Sequence, residues 1–186
     1  ILLASGETLA AWGLTEPGSG SDAGGMRTIG VRDGDDFIIN GSKNFITHGN
    51  VGNVCVMMTV TSPEKGKKGI SAIVVDKTMP GFYGSKKENK LGMRCSDTAG
   101  ITLDNVRVPA ANLLGNEGEG FIQALQILDG GRISIAALSV GLAQGALDAA
   151  LKYSHERKQF NQRLNEMPAI QIKLARMATE VEAARA

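Results

Sequence analysis

The apolar residues of this chain repeat in two different ways, and the change from one to the other bounds what it can fold into. Through residue 108 they come in short runs: 28–32 (TIGVR), 37–40 (FIIN), 43–47 (KNFIT), 54–61 (VCVMMTVT), 70–76 (ISAIVVD) and 100–108 (GITLDNVRV). Runs of that length, rich in β-branched residues and bounded by Gly, Pro, Asn and Asp, read as strands. Residues 33–36 read as a turn, Asn40-Gly41 as the dipeptide of a tight hairpin, 62–69 (SPEKGKKG) as a polar loop, and Pro109 closes the last strand. From Gly118 the period becomes helical. Phe121, Leu125 and Leu128 share one face, and Ile135, Leu138, Leu142, Leu147 and Leu151 stripe a second stretch from Arg132 to about Gln159. The two stretches read as one helix kinked at Gly130-Gly131. A third helix starts near Glu166, with Pro168 tolerated in its first turn. A strand-rich barrel or sandwich followed by helices is expected, with the boundary near residues 112–118.

Composition narrows the function classes. The net charge of +1 and the 4% aromatic content supply neither a basic patch nor stacking platforms for nucleic acid. No run of about 18 consecutive apolar residues points to a membrane span. Cys55 and Cys95 form neither a disulfide framework nor a C-x-x-C metal pattern, so a reducing compartment is expected, with Cys55 a packed thiol. The sequence begins with Ile and ends in EVEAARA inside a helical pattern, which reads as a piece of a longer protein.

The most distinctive segment is 14–25, LTEPGSGSDAGG. Gly18-x-Gly20-x-x-Ala23 formally matches a dinucleotide fingerprint, but a strand follows it rather than the helix whose N-terminus would receive a pyrophosphate. No Gly-Lys-Ser/Thr follows either, so it is not a P-loop. Two readings stay open: a turn-rich connection, or a loop of hydroxyls and backbone N–H groups (Thr15, Ser19, Ser21) facing a ligand. Glu16 and Asp22 read as turn or capping residues. His48 is expected exposed in a turn and His155 near a helix end, with no metal set. Asp129 and Arg132, at i and i+3, are either a surface pair or two ligand contacts, and Arg157-Lys158 reads as a helix-end basic pair.

LTEPGSGSDAGG, IINGSKNFITHG, LDGGRISIAALSVGLAQGALDAALKY and ERKQF, in this order and spacing, together resemble the acyl-CoA dehydrogenases, most closely the short-chain, butyryl-type members. The resemblance covers essentially the whole chain. It implies an α+β fold: a middle β-barrel domain over 1–115, with 1–10 a remnant of a preceding helical domain, then 116–186 as the first helices of an incomplete four-helix bundle. It implies FAD as cofactor, lined by Trp12, Leu14, Thr15 and Ser21, with Phe45, Ile46 and Thr47 as a second flavin-facing strand. Phe45 takes a position often held by Trp, and Thr47 is expected near the flavin N5. Ser21, Asp129 and Arg132 are implied to bind the acyl-CoA substrate, and Arg157 and Gln159 to reach the FAD of a neighbouring subunit in a homotetramer.

The implied activity is α,β-dehydrogenation of a short-chain acyl-CoA to the trans-2-enoyl-CoA, as in fatty acid β-oxidation, with electrons passed to an electron-transfer flavoprotein. The compartment implied is the bacterial cytoplasm, or the mitochondrial matrix of a eukaryote. No catalytic base is expected in this chain: the family's usual Glu lies farther along, and the alternative helical position is Gly131. The chain alone is therefore expected to be inactive. Asn161 stands where Gly is usual and Pro168 where a Gln reaches FAD. Rival expectations are a non-catalytic FAD- or CoA-binding or assembly module, and a flavin oxidase or monooxygenase on the same scaffold.

Overall fold

The computed structural model describes residues 2–186, which divide into two units, one ending at Leu125 and the other Gln126–Ala186. The first unit is built on one mixed seven-stranded sheet curved into a half-barrel. Its strands are β1 (Ala10–Gly13), β2 (Ile29–Asp33), β3 (Asp36–Thr47), β4 (Val54–Val60), β5 (Ile70–Asp76), β6 (Phe82–Gly84) and β7 (Thr98–Pro109). A short helix, α1 (Leu2–Ser5), precedes them. The sheet runs β1-β4-β2-β3-β7-β6, with β5 also paired to β4.

Alternation explains the core. In β3 and β7 the residues Phe37, Ile39, Ile101, Leu103, Val106 and Val108 turn inward and are essentially without solvent contact. Met57 of β4 and Ile73 and Val75 of β5 complete this cluster. A second, smaller cluster gathers Met26, Met58, Ile70 and Ala72, with Trp12, Leu14 and Phe121 packed against it. Ala124 belongs to it too, so the first turns of the long helix α2 (Gly120–Glu156) pack with the strands.

Residues 33–36 do form the β2–β3 hairpin, closed at Asp33 and Asp36 with Gly34 at φ +61°. Asn40-Gly41 is not a hairpin. β3 continues through it, and the pairing with β7 shifts register between Ile39 and Gly41. Gly41 sits at φ +150°, and a Cβ there would lie 2.7 Å from the Thr28 Cα. The glycine serves the close approach of two backbones rather than a reversal of the chain.

In the second unit α2 runs on through Gly130-Gly131 as one helix and ends at Glu156, short of the expected end near Gln159. Residues Lys158–Gln159 (β8) and Gln162–Arg163 (β9) form a small hairpin instead. Its central residues Phe160 and Asn161 have φ +51° and +61°, the backbone of a tight two-residue turn. That backbone explains why glycine suits position 161 and why Asn, which tolerates left-handed φ, can stand there. Helix α3 (Pro168–Arg185) follows, with Pro168 at its first position. Arg185 donates to the Gln144 side-chain oxygen Oε1 at 2.7 Å, joining α3 to α2.

By length and composition α2 is long and apolar enough to cross a membrane, with an 18-residue window of mean hydropathy 1.4, although it contains no unbroken apolar run of that length. Asp129, Arg132 and Asp148 interrupt its apolar runs.

Gly41→Ala should cost about 2–3 kcal/mol, because the added carbon has backbone rather than a flexible side chain in its way. Gly34→Asn, at an open left-handed position, should cost within about 1 kcal/mol. Urea unfolding followed by the fluorescence of Trp12, the chain's single tryptophan, measures both. Equal costs would contradict the close-approach explanation.

Candidate functional site

The site grows from the way the chain leaves β1. Ala11 points into the main core, so Trp12 faces the opposite side of the pleat, where it and Leu14 pack on the second cluster. Past Leu14 the chain runs beside β3, where the Asn44 N–H donates to the Thr15 carbonyl at 2.8 Å. The segment then closes a turn over Pro17-Gly18: the Glu16 N–H donates to Ser19 O at 2.9 Å and the Ser19 N–H to Glu16 O at 3.1 Å. The Ser19 hydroxyl donates to Asp22 O at 2.6 Å, carrying the fold of the loop onward. Residues 14–16 and residues 43–44 of β3 therefore lie side by side.

Beneath this loop lies a buried ion pair. Lys43 Nζ is 2.8 Å from Glu16 Oε1, with side-chain exposures of 0% and 6%. The carboxylate also accepts the Arg27 N–H at 2.6 Å and the Thr28 N–H at 2.9 Å, and Lys43 Nζ further donates to Leu14 O at 3.3 Å. Burial pushes the Glu16 carboxyl up, but the Lys43 ammonium, Thr28 and the Arg27 amide together outweigh it, leaving the group below its ordinary 4.5. Burial pulls the Lys43 ammonium down, and Glu16 opposes it. Burial also raises the nearby Cys55 thiol to about 12, so it is an inert packed thiol, as expected. The role of Glu16 was legible only as a turn residue. One signal for the pair was present: Lys43 has the inward parity of Phe37 and Ile39 on the same strand.

Just beyond Lys43 the pairing of β3 with β7 slips again, between Lys43 and Ile46. Phe45 takes φ +57° and is 64% exposed, Thr47 is exposed, and the Ile46 side chain is buried in the core. Phe45 and Thr47 thus share the open face and Ile46 offers it only backbone. His48 is half-buried rather than exposed, with Nδ1 3.0 Å from Ala10 O. Asp97 holds the following turn by accepting the Asn50 and Val51 N–H groups.

The remaining candidates are distributed as follows. Thr15 is half-buried and Ser21 exposed on the loop; Trp12 is half-buried, its indole N–H enclosed without a partner among the described residues. Asp129 and Arg132, on the second unit, form an exposed ion pair with one another. Arg157 follows the last turn of α2 and Gln159 lies on the β8–β9 hairpin, both exposed. Gly131 is helical, and Pro168 opens α3.

Comparison with known proteins follows this layout. The family model "Acyl-CoA dehydrogenase, middle domain" matches residues 11–106, and "Acyl-CoA dehydrogenase, C-terminal domain" matches residues 118–186. The chain is 52% identical over 184 residues to "Probable acyl-CoA dehydrogenase YngJ" of Bacillus subtilis, covering 98% of this chain and 48% of the relative. It is 45% identical over 181 residues to "Caffeyl-CoA reductase-Etf complex subunit CarC" of Acetobacterium woodii, covering 97% and 48%. Among solved structures it is similar to butyryl-CoA dehydrogenase of Megasphaera elsdenii, with TM-score 0.93, 43% identity and coverage of 99% of this chain and 48% of that one. It is similar also to a glutaryl-CoA dehydrogenase of Mycobacterium smegmatis in complex with FADH2, with TM-score 0.89, 36% identity and coverage of 98% and 46%. The chain spans about half the length of these proteins.

Lys43→Met should destabilise the first unit by about 3–5 kcal/mol near pH 7, since it strands a buried carboxylate. The Glu16 carboxyl is depressed in the folded protein, so its contribution is complete above 4.5 and is lost as pH falls through the lower folded value. In Lys43→Met the stranded carboxyl is relieved by protonation, so the gap from wild type should narrow towards about pH 4. Urea titrations at both pH values check this; a gap independent of pH would exclude an ionised pair.

Proposed function

Since the chain belongs to the acyl-CoA dehydrogenase family, we propose that the full-length protein oxidises the Cα–Cβ bond of a short-chain acyl-CoA thioester, with FAD as its resident cofactor. The observation that carries the proposal is the juxtaposition of the start of the 14–21 loop with β3 at Lys43 and Asn44, just before Phe45 and Thr47. Together they offer what an aromatic ring bearing a diphosphate needs. Phe45 is an exposed apolar surface, Thr15 and Thr47 bring hydroxyls, and Ser21 adds another beside Gly18 and Gly20, whose surroundings are open. This donor set fits the group, and the likeness to a dehydrogenase solved with FADH2 supports it.

FAD, when bound, supplies the acceptor for the hydride leaving Cβ. This chain's residues prepare that event. Phe45 excludes water from one side of the ring, the Thr15 and Thr47 hydroxyls orient it, and the open loop around Ser21 admits the diphosphate without a Cβ clash. Asp129 and Arg132 hold the coenzyme A part of the substrate. Arg157 and Gln159 reach the cofactor of a neighbouring subunit, so a homotetramer is part of the proposal. Electrons leave to an electron-transfer flavoprotein, a partner suggested by the A. woodii relative named as a subunit of an Etf complex.

The α-proton must go to a carboxylate facing a polarised carbonyl. Glu16 is not that group, because its carboxylate is engaged by Lys43, Arg27 and Thr28. Gly131 has no side chain to offer. We therefore assign the base to the part of the relatives' length that this chain does not span.

The full-length protein, purified with FAD, should lose its visible flavin band on anaerobic addition of butyryl-CoA and reduce an electron-accepting dye with turnover. The 186-residue chain alone should not turn over. A full-length protein whose flavin stays oxidised with every saturated acyl-CoA tried would end the proposal. Oxygen consumption in place of dye reduction would favour the oxidase, and a folded protein that takes up no flavin the assembly module.

A further inference from the structure

We infer that the buried Glu16–Lys43 pair is the positioning element of the flavin wall, setting the height and register of the 15–21 loop on β3. The inference rests on the proposed flavin site. Stability does not account for the pair, since well-packed apolar residues of similar volume hold such a place as well or better. What they cannot do is fix direction. Glu16 Oε2 takes the Arg27 N–H and Oε1 takes both the Thr28 N–H and Lys43 Nζ, while Nζ also reaches Leu14 O. One carboxylate thus joins the loop, the entry to β2 and the middle of β3. These bonds reinforce the Thr15–Asn44 backbone bond.

The pair's sequence neighbours are the candidate flavin contacts. Thr15 precedes Glu16, and Phe45 lies two residues after Lys43, at the register slip that turns it outward. Beyond Glu16 the loop has little apolar anchorage: Pro17, Gly18, Gly20 and Ser21 are exposed, and nothing lies within 4 Å of a Cβ built on Gly18 or Gly20. Glu16 and Lys43 are therefore positioning residues. They touch no reacting atom, and they decide whether Thr15 and Phe45 present one surface or two.

The test compares three forms of the full-length protein: wild type, the double variant Glu16→Gln/Lys43→Met, and Val108→Ala. The last weakens the same unit's core away from the loop. FAD affinity is read from the visible band and fluorescence quenching, and backbone exchange of residues 15–21 by hydrogen–deuterium exchange. The double variant should unfold near wild type, bind FAD about tenfold or more weakly, as expected for one mis-set charge-assisted hydrogen bond, and exchange faster in the loop. Val108→Ala should unfold more readily yet keep its FAD affinity. A double variant that binds FAD within about twofold of wild type, or a Val108→Ala protein that loses as much affinity, overturns the inference. If wild type itself takes up no FAD, the functional proposal falls, and loop exchange decides the fastening alone: unchanged protection in the double variant overturns it.

Discussion

Two opposite charges with almost no access to water lie under the most distinctive loop of this chain, and the surrounding backbone is organised around them. Removing a carboxylate and an ammonium from water costs several kcal/mol each unless every lone pair and proton finds a partner. Here the partners come from three stretches: Leu14 on the loop, Arg27 and Thr28 at the entry to β2, and Lys43 in β3. An apolar core tolerates small slips of one strand past another. A charge network of this kind does not, because each slip strands a buried polar group.

β3 makes this placement usable through its two irregularities. A regular strand alternates strictly, so Phe37, Ile39, Lys43 and Phe45 would all face inward and Ile46 outward. The slip between Lys43 and Ile46 reverses the parity. It delivers Phe45 to the open face and Ile46 to the core, with φ +57° at Phe45 as the local strain. The earlier slip at Gly41 lets the Thr28 backbone approach, and the Thr28 N–H is one of the donors to Glu16. Both irregularities serve the same wall, one by admitting a donor and the other by exposing an aromatic ring.

Much of this was legible in the sequence, for physical reasons that also explain the rest. The long apolar runs of β4 and β5 and the turn at 33–36 declare themselves by composition. β1, four residues of AAWG, carries no β-branched residue and so no strand signal of its own; its place comes from parallel pairing with β4. Asn40-Gly41 misled because positive φ serves a close approach as well as a turn. The opposite error occurs at Phe160-Asn161, where a tight turn forms without glycine and ends α2 early. Within the candidate site, the adjacency of the loop and strand followed from the family pattern. The burial of Glu16 and Lys43 did not, because a charge at an inward parity reads as an exception until its partner, 27 residues away, is seen.

The half of the relatives' length that this chain spans is shared by proteins named for different acyl groups. The chain aligns over 97% or more of itself with proteins named for caffeyl-, butyryl- and glutaryl-CoA, at 36–45% identity. Their names share the coenzyme A handle and differ in the acyl group, so the fold of this half is not tied to one acyl chain. The geometry agrees with that division. The loop's carboxylate is consumed in holding the wall, and the open face carries an aromatic ring and hydroxyls rather than a titrating group. A wall of that composition can orient a ring and keep water from it, but it cannot choose an acyl chain or accept its proton. On the proposed function, specificity and proton transfer therefore fall to other residues, and changes on this wall should alter how firmly the proposed cofactor is held before they alter which substrate is used.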